Sequence, residues 1–587
     1  MKDLAAQLAE ACSAVFVGRG FDAKWGAVKK SDRPELADFQ CNGCMGAAKQ
    51  AGENARELAA SLAEDLAGNE LIARVDVAGP GFLNIVVRDD ALANQLECIR
   101  QDPKHGGGQA ADPETVIIDF GGPNVAKPMH VGHIRSAVIG DTLVRLMRFL
   151  GDRVIGDVHL GDWGLQMGLL IVAVMEEQPS LPYFDAAYDG PLPEQPPVNM
   201  DDLSRLYPAA SQRAKDDDAY AQRARGAVAR MQAGDVGYRA LLKHFIDVSV
   251  AALKTDYAFL DVSFDFWKGE SDVDHLIQPL VSDLQARGLA RLDDGAWIID
   301  VARDSDKKDM PPVILVNSRG ATGYHATDIA TIVERQETLA PDRILYVVDQ
   351  RQAFHFEQVF RACDKAAIFP EAQLEHIGFG TVNGTDGKPF KTREGGTLRL
   401  SDLNALALAE AEKKIGEANL SGDIGPDERA DIAALVARAS LRFADLKNQR
   451  TTNYMFELEK FSSFEGKTGP YLLYAVVRLK ALLKRAAAAG AVAGSVKIVE
   501  PSERKLVLAL DGFSLALSLA REKRMPHYLC EHIYTVAQSF SAFYGALPIV
   551  RESDTDIRAA RLALCEAVLL QLETGLELLG ITAPDRM

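Results

Sequence analysis

The chain has 587 residues and a formal net charge of −18; apolar residues make up 47% of it and charged residues 25%. This length is too great for one hydrophobic core, and the composition excludes a disordered chain. The negative charge argues against a protein that coats nucleic acid through bulk positive charge, but it leaves a local basic face open.

The chain start carries no apolar signal region, and no uncharged apolar run reaches 18 residues. We therefore expect no membrane span. Seven cysteines are an odd and sparse number for this length, which favours free thiols in a reducing cytoplasm. The lone pair Cys41 and Cys44 lacks a second ligand pair, so we expect a loop there and no metal site.

Residues 1–110 are predicted to form a small α+β domain. Leu58, Leu62 and Leu66 recur at the spacing of one helix face. Two strand patterns follow at 72–77 and 82–87, separated by a Gly-Pro-Gly turn. The glycine-rich stretch 105–109 then reads as a linker.

Residues 111–400 are predicted to form a Rossmann-like catalytic domain. The apolar run 116–118, a glycine turn, a helical stripe from Ile134 to Leu150 and the run 154–158 make a βαβ unit, which predicts a parallel sheet. Further buried-strand patterns at 313–316 and 344–348 suggest that the sheet extends to about residue 380.

Two other regions have a different pattern. Six prolines between 179 and 197, followed by a charged helical stretch, indicate an insertion in the sheet domain at about 176–240. From 401 to 587 strand patterns nearly vanish, and helical spacing predicts an all-α bundle that includes one helix over 505–521. The predicted fold class is thus α/β, with an N-terminal α+β add-on domain and a C-terminal helical domain.

The most informative stretch joins the first predicted strand of the sheet to its helix. It contains Lys127 and the string HVGH, which is His130 to His133. Backbone amides at a helix start attract anions, the imidazoles add donors, and Gly132 lets a flat ring approach the backbone. Ligands of parallel sheets bind beyond the carboxyl ends of the strands. This combination suits a nucleoside triphosphate better than a metal, since no third ligand follows at metalloprotease spacing.

These residues resemble a known family. The string PNVAKPMHVGHIRS (123–136), followed by GDWG (161–164), is similar to the first signature of class I aminoacyl-tRNA synthetases and resembles the arginyl-tRNA synthetase family in particular. Further similar strings follow the chain in order; they are DFQCNGCMGAAK (38–49), AGPGFLNI (78–85), TGYHATDIA (322–330), VVDQRQAFHF (347–356), FADLKNQRTTNYMF (443–456), FEGKTGPYLLYA (464–475) and GLELLGITAP (575–584).

The resemblance implies a two-step reaction with ATP, L-arginine and tRNA(Arg) as substrates. The arginine carboxylate attacks the α-phosphate of ATP, pyrophosphate leaves, and the arginyl-adenylate then passes its arginine to the tRNA. His130, Gly132 and His133 are the implied ATP contacts, and Lys127 would pair with the developing negative charge. Mg²⁺ is expected with the ATP, although no carboxylate cage for it is visible in the sequence.

The second signature of the class is usually a KMSKS-like loop, and its counterpart here is GKPFKTR (387–393). The string departs from the family pattern because Pro389 and Thr392 stand where lysines are usual. Either Lys388 and Lys391 act from shifted positions, or Lys127 takes over their role. A plain glycine-proline surface turn is the alternative interpretation.

Selection of arginine requires anions, because a carboxylate can meet the planar guanidinium fork in bidentate fashion. Tyr324 and Asp328 match the family's pattern of an aromatic hydroxyl and an acid on one helix face. The full set of implied arginine contacts is Asp119, Asn124, Glu270, Tyr324, Asp328 and Gln352.

A basic segment stands out in the acidic chain. Residues 438–485 contain ten basic and four acidic residues with aromatic rings between them, which suits unpaired anticodon bases. The implied contacts are Tyr471, Tyr474 and Arg478, unless these rings pack in the bundle core. Phe82 and Asn84 resemble the part of the add-on domain that touches the tRNA elbow.

Three other functions fit the sequence less well than an arginine–tRNA ligase. A cysteine-specific ligase would require zinc-binding thiols near the sheet. A non-catalytic tRNA-binding relative would be expected to lose His130, His133 or Asp328, and all three are present. A small HxGH nucleotidyltransferase would explain the turn but not the long helical tail. We expect a monomeric enzyme.

Overall fold

The computed structural model describes residues 2–318, 320–384, 387, 398–417 and 424–587. These residues divide into two compact units. One unit contains residues 1–111, 418–435 and 463–587, and the other contains 112–417 and 436–462. The first unit therefore combines the two ends of the chain, while the second contains the predicted catalytic segment.

The N-terminal segment is an antiparallel sheet covered by helices. Its four strands lie in the order β1-β2-β4-β3. The buried face of helix α3 carries the predicted leucine stripe. The elements are α1 (Leu4–Gly18), β1 (Val28–Lys30), β2 (Phe39–Cys41), α2 (Gly43–Ala51), α3 (Ala55–Leu66), β3 (Ile72–Ala78), β4 (Phe82–Val87) and α4 (Asp89–Gln101).

A five-stranded parallel sheet organises the second unit, as the βαβ pattern predicts. Its order is β12-β11-β5-β6-β7. Helices α7 and α8 come from the predicted insertion and pack on α6. The elements of this first half are β5 (Thr115–Phe120), α5 (Val131–Leu150), β6 (Arg153–Leu160), α6 (Leu165–Glu177), α7 (Met200–Asp216), α8 (Asp218–Gln232), α9 (Val236–Phe259), β7 (Phe266–Gly269) and α10 (Asp274–Ala286).

The run 313–316 forms a strand, but it does not join the parallel sheet, which corrects the sequence-based expectation. It pairs antiparallel with its neighbour in sequence, in a separate three-stranded sheet of order β10-β9-β8. Ile314 is exposed on it. The elements of this part are β8 (Arg291–Asp293), β9 (Ala296–Ile299), β10 (Val313–Val316), α11 (Tyr324–Leu339), β11 (Arg343–Val347), α12 (Ala353–Lys365), β12 (Leu374–His376) and β13 (Val382–Asn383).

After β13, the regular elements of the described residues are helices apart from a two-residue strand that pairs parallel with β13. The single helix expected over 505–521 is two helices, because Asp511 and Gly512 interrupt it. The elements are α13 (Leu400–Glu417), α14 (Pro426–Leu446), β14 (Tyr454–Met455), α15 (Leu458–Phe461), α16 (Gly469–Ala488), α17 (Pro501–Leu510), α18 (Phe513–Lys523), α19 (His527–Ala546) and α20 (Thr555–Leu578).

Asp511 also joins this break to the N-terminal segment. Its carboxylate, buried at the end of α17, accepts hydrogen bonds from the backbone amide of Leu4 at 3.1 Å and from Nε2 of Gln95 at 2.7 Å. Arg504 on the same helix pairs with Asp38 and Asp89. Within the first unit, polar contacts thus attach the N-terminal segment to the helices that end the chain.

Buried ion pairs attach helix α5 to residues 436–462 in the second unit. Nε of Arg135 lies 3.0 Å from the Asp445 carboxylate, and both side chains are buried. Arg135 also donates to the carbonyls of Gly380 and Thr452 at 2.9 Å. Arg442, one helix turn before Asp445, pairs with Asp141 of α5 at 2.6 Å. These contacts hold the start of α5, where the HVGH string lies.

All seven cysteines are free thiols. Cys41 ends β2 and Cys44 lies in α2, so the pair spans the end of a strand and the first turn of a helix. Every helix among the described residues falls short of the length and apolar character that crossing a bilayer requires.

Arg135→Ala should destabilise α5, because Asp445 then keeps a buried charge without its guanidinium. Loss of one partner of a buried pair costs about 3–5 kcal/mol. Hydrogen–deuterium exchange should report an opening free energy of the α5 amides lower by about that amount. Lys243→Ala breaks the exposed pair with Asp247 and should cost less than about 0.5 kcal/mol. Equal exchange in the two variants would contradict the role given to the buried pair.

Candidate active site

The HVGH string forms the start of α5, at the carboxyl end of the central strand β5. His130 is the N-cap of the helix, and its Nδ1 accepts a hydrogen bond from the amide of Gly132 at 3.0 Å. Nδ1 of His133 in turn accepts from the amide of His130 at 3.0 Å. The rings stack with centroids 3.9 Å apart. Each imidazole therefore caps the helix through its own Nδ1.

This capping determines the chemistry of the two rings. A ring whose Nδ1 accepts a hydrogen bond carries its proton on Nε2, so each neutral imidazole is left with an Nε2–H donor. Burial, followed by the charge of His130, lowers the pKa of His133 to about 3. The pKa of His130 is also lowered, chiefly by partial burial. The pair acts as neutral hydrogen-bond donors at physiological pH.

Gly132 is required by the ring of its neighbour. A Cβ at this position would lie 2.8 Å from Cε1 and 2.9 Å from Nδ1 of His130. The flat ring that packs against Gly132 in this structure is thus the imidazole of His130. A larger residue would push that imidazole off the cap.

Lys127 lines a cavity of about 310 Å³ beside His130. Its Nζ lies 4.8 Å from the centroid of the Tyr207 ring, and Arg399 contributes a second cation. Tyr207 belongs to α7, in the predicted insertion. Ala126, which precedes Lys127, has a φ of +64°, and its amide donates to Oγ of Ser249 at 2.9 Å. The turn is therefore held in an unfavourable conformation by α9.

The backbone after residue 397 pairs directly with the HVGH turn. The amide of Val131 donates to the carbonyl of Leu398 at 3.1 Å, and the amide of Leu400 donates to the carbonyl of Met129 at 2.9 Å. These bonds place Arg399 beside His130. Lys388 and Lys391, the candidates from the second signature, lie outside the described residues.

Three acidic side chains gather near the carboxyl ends of β6 and β7. They are Asp162, Glu270 and Asp328, and we call them the carboxylate cluster. Asp162 accepts from the amide of Ser271 at 2.9 Å and from its hydroxyl at 2.6 Å. Gly269 leaves room for this carboxylate, since a Cβ there would lie 2.5 Å from an Asp162 oxygen.

Glu270 is the least compensated member of the cluster. Burial, and then the negative charges of Asp162 and Asp328, raise its pKa to about 8. A hydrogen bond from the backbone of Trp163 opposes the shift only in part. Among the described residues, none of the groups that shift this pKa is a cation. A bound cation is what this carboxyl group would require in order to ionise at neutral pH.

Asp328 and Tyr324 reach the cluster from helix α11. The Asp328 carboxylate is 2.5 Å from Nε2 of His355. The Tyr324 ring is largely exposed, but partial burial of its hydroxyl and the charge of Glu270 raise its pKa. The structure therefore brings Glu270, Tyr324 and Asp328 together, as the candidate arginine site requires.

Asp119 is differently placed. Nη2 of Arg335 is 2.6 Å from the carboxylates of both Asp119 and Asp157, and all three side chains are buried. Burial raises the pKa of Asp119, and the charge of Arg335 opposes the rise. With His159, these carboxylates have the spacing of a metal site, but the guanidinium already binds both of them. Asp119 thus already has an arginine partner within the fold.

Asn124 and Gln352 follow neighbouring strands. Asn124 follows β5, and Gln352 lies in the turn after β11, which pairs parallel with β5. Both residues are exposed. Because the carboxyl ends of parallel strands meet at one edge of the sheet, both amides lie on the edge that carries the HVGH turn.

The candidate nucleic-acid contacts lie in the first unit. Tyr471 packs edge-on to Tyr534 at 5.6 Å, and Tyr474 is 39% exposed. The guanidinium of Arg478 lies 3.9 Å from the centroid of the Tyr544 ring. Helices α16 and α19 thus present aromatic rings and a guanidinium, and Tyr534 and Tyr544 are additions that the sequence patterns did not single out.

The two candidates of the N-terminal sheet differ in their accessibility. Phe82 is half-buried on β4. Asn84 is buried, and its Oδ1 accepts a hydrogen bond from Nε2 of Gln40 at 2.8 Å. The Asn84 side chain is thus already engaged across the sheet.

Several residues of the site carried no assignment from the sequence. His355 stands in the string VVDQRQAFHF and Asp162 in GDWG, so their positions in matching strings were the available signal. Arg399 and Tyr207 had no such signal, because they reach Lys127 only through tertiary structure.

Comparison with known proteins gives matches over almost the whole chain. The family model "tRNA synthetases class I (R), catalytic domain" matches residues 95–458. "DALR anticodon binding domain" matches 472–587, and "Arginyl tRNA synthetase N terminal domain" matches 2–87.

Two relatives named arginine–tRNA ligase are similar along their full length. The protein of Hyphomonas neptunium is 62% identical and that of Maricaulis maris 53% identical, with 100% of both chains covered in each comparison. Arginyl-tRNA synthetase structures from Plasmodium falciparum and Thermus thermophilus also cover 100% of both chains, with TM-scores of 0.82 and 0.80. At 20% and 22% identity these two structures support the fold alone.

The imidazole of His133 should stay neutral from pH 5 to pH 8, because burial holds its pKa near 3. In protein labelled with ¹⁵N-histidine, its ring signals should keep the pattern of an Nε2–H tautomer across this range. His133→Asn, which removes one set of signals, supplies the assignment. A midpoint above pH 5 for these signals would contradict the capping geometry.

Proposed function

The chain belongs to the class I tRNA synthetases of the arginine type, and we propose that the HVGH turn and the carboxylate cluster form the two halves of its active site. The enzyme uses ATP to join L-arginine to tRNA through an arginyl-adenylate. The observation that carries the site assignment is Glu270, a half-buried carboxyl group beside two other acids. A guanidinium is the cation that the family's substrate supplies.

The HVGH turn is proposed to bind ATP. The Nε2–H groups of His130 and His133 donate to phosphate oxygens as negative charge develops on them, and the helix N-terminus adds its dipole. Gly132 gives the His130 imidazole room to cap the helix. Lys127 approaches from the adjoining cavity and pairs with the phosphates. Because the rings are neutral and held by the backbone, they act by hydrogen bonding and not by proton transfer.

Further cations are proposed to complete the phosphate site. Lys388 and Lys391 belong to the segment that ends where Leu398 binds the HVGH turn. We propose that one or both act on the phosphates, as the lysines of the second signature do in the family. Arg399 is a further candidate, because it lines the same cavity as Lys127.

The carboxylate cluster is proposed to select arginine. Asp328 and Glu270 meet the guanidinium, and the Tyr324 hydroxyl bonds beside them. Asn124 and Gln352 are proposed to hold the amino and carboxyl ends of the amino acid, next to the phosphates. We propose that Asp119 contributes to the arginine site indirectly, through its ion pair with Arg335.

The tRNA is proposed to contact the first unit. Tyr471, Tyr474 and Arg478 lie on or beside the face of α16 and α19 that presents rings and cations, which suits stacking with unpaired bases. Phe82 and Asn84 are proposed to contact the tRNA elbow. The Asn84 side chain also accepts a hydrogen bond from Gln40. These roles correspond to a division into an add-on domain (1–110), a catalytic domain (111–400) and an anticodon domain (401–587).

We further propose that Mg²⁺ accompanies ATP, that the enzyme is a monomer and that it works in the cytoplasm, where tRNA is charged. The described residues provide one grouping of metal-type ligands, and Arg335 already binds both of its carboxylates. The residues therefore do not fit a protein-bound Mg²⁺ there, and phosphate oxygens and water are its proposed ligands.

Asp328→Asn should lower kcat/KM for arginine by about 30-fold to several thousandfold, since breaking a buried charge contact costs about 2–5 kcal/mol. The measurement is amino-acid-dependent pyrophosphate exchange, run with and without total tRNA. Asp247→Asn, on an exposed face of α9, is the matched control and should leave the rate unchanged. Exchange that depends on another amino acid, or a loss below fivefold, would refute the assignment.

Arginine binding should release a proton near pH 7, because the Glu270 carboxyl has a pKa of about 8 and a bound guanidinium stabilises its ionised form. The carboxylate binds the cation, so affinity rises with pH, by about fivefold from pH 7 to pH 8 for a single group. Titration calorimetry in buffers of different ionisation enthalpy counts the released protons. Glu270→Gln should reduce the count to near zero, and an unchanged count would exclude Glu270 as the source.

A further inference from the structure

We propose that His355 is a positioning residue for arginine selection: it binds one carboxylate oxygen of Asp328 and leaves the other oxygen directed at the substrate guanidinium. The inference rests on the proposed arginine site and adds to it a residue that does not itself touch the substrate. It is carried by the contact between Nε2 of His355 and Oδ2 of Asp328 at 2.5 Å.

The geometry restricts how Asp328 can bind a ligand. A carboxylate has two oxygens, and a fork-to-fork contact with a guanidinium uses both. His355 takes one acceptor position of Oδ2 and so fixes the orientation of the carboxylate, and we infer that the guanidinium meets Asp328 chiefly at Oδ1. Glu270, whose pKa responds to the charge of Asp328, then supplies the second anionic contact. The guanidinium thus contacts both Asp328 and Glu270.

His355 is itself held in place from its far side. The ring of His325 stacks on it with centroids 4.6 Å apart and planes 28° apart. Gln358, whose side chain interacts with His325, donates to the carbonyl of Pro311 at 2.8 Å. Phe356 packs edge-on at 5.3 Å. A series of contacts thus runs from α12 through two imidazoles to the acid that faces the substrate.

The three acids of the carboxylate cluster differ in the groups that donate hydrogen bonds to them. Asp162 accepts hydrogen bonds from the amide and hydroxyl of Ser271, and Asp328 contacts Nε2 of His355. Among the described residues, the backbone hydrogen bond from Trp163 is the one group that acts to lower the pKa of Glu270. His355 thus supplies Asp328 with a side-chain hydrogen-bond donor. The imidazole supplies this donor without adding a permanent charge, as a lysine or arginine would.

A purely structural role for His355 makes a different prediction. Loss of the ring would then loosen α11 and α12 in general, and the kinetic parameters for both arginine and ATP would deteriorate. A positioning role confines the loss to the guanidinium, because only the direction of the Asp328 carboxylate changes. The KM for ATP and the exchange protection of α12 separate these two outcomes.

The test compares His355→Leu with His355→Gln in pyrophosphate exchange. Leucine removes the donor and keeps apolar bulk, and glutamine places an N–H near the position of Nε2. We expect His355→Leu to raise the KM for arginine about 10- to 100-fold, the range for a hydrogen bond to a charged group, with kcat and the KM for ATP within about threefold. His355→Gln should restore most of the loss. The Ki of agmatine, which keeps the guanidinium and lacks the carboxylate, should rise in parallel with the arginine KM.

Two comparisons complete the design. His376 stacks on the same Phe356 ring, at 5.6 Å, so His376→Leu removes a histidine from this neighbourhood as a matched control and should leave the arginine KM unchanged. In the Asp328→Asn background, His355→Leu should add less than about threefold, because residues that act through one contact are not additive.

The outcomes separate the two proposals. If Asp328→Asn has a large effect and His355→Leu has none, the positioning role is wrong and the arginine site stands. If the two substitutions multiply in the double variant, or if glutamine fails to rescue the loss, His355 does not act through Asp328. If Asp328→Asn itself has no effect, the proposed site fails, and the positioning role fails with it.

Discussion

The ion pairs of Arg335 with Asp119 and Asp157 are the constraint on which the rest of the site depends. A buried guanidinium is tolerated only when anions compensate it, and here two carboxylates from adjacent strands do so at 2.6 Å. Arg335 lies on α11, three turns after Tyr324 and two turns after Asp328. The pairs therefore set the rotation of that helix against β5 and β6, and with it the direction of the residues that are proposed to face the substrate.

The same rule of charge compensation separates two kinds of acid in one small region. Asp119 and Asp157 have a permanent cation in Arg335. Glu270 lies beside acids of its own sign, and its pKa rises to about 8 in consequence. Asp328 is intermediate, since an imidazole binds one of its oxygens. The carboxylates paired within the fold thus differ from those proposed to face the substrate in their partners and not in residue type.

Sequence patterns predicted the parts of the molecule that local periodicity determines. The strand-turn-helix unit of β5 and α5, the leucine stripe of α3 and the helical character of the chain end follow from spacing alone. The pairing of β10 did not, because a short apolar run has the same pattern in a parallel and in an antiparallel sheet. The break at Asp511 was also missed, although an Asp-Gly pair is a turn signal that the sequence contains. The hydrogen bond of Asp511 to Leu4 is what depends on tertiary structure.

The candidate site shows the same division between local and distant causes. His130 and His133 lie where the βαβ pattern predicts, because both cap a helix whose start is legible in the sequence. The sequence did not predict the partners of Asp119 and Asp328, because Arg335 and His355 contact them only in the folded protein. Motif spacing therefore identifies side chains such as His130 and His133, whose positions are determined by the backbone next to them in the sequence. Whether an acidic side chain is paired within the fold or faces a ligand depends on tertiary contacts. The same Asp or Glu in a motif can therefore have either role.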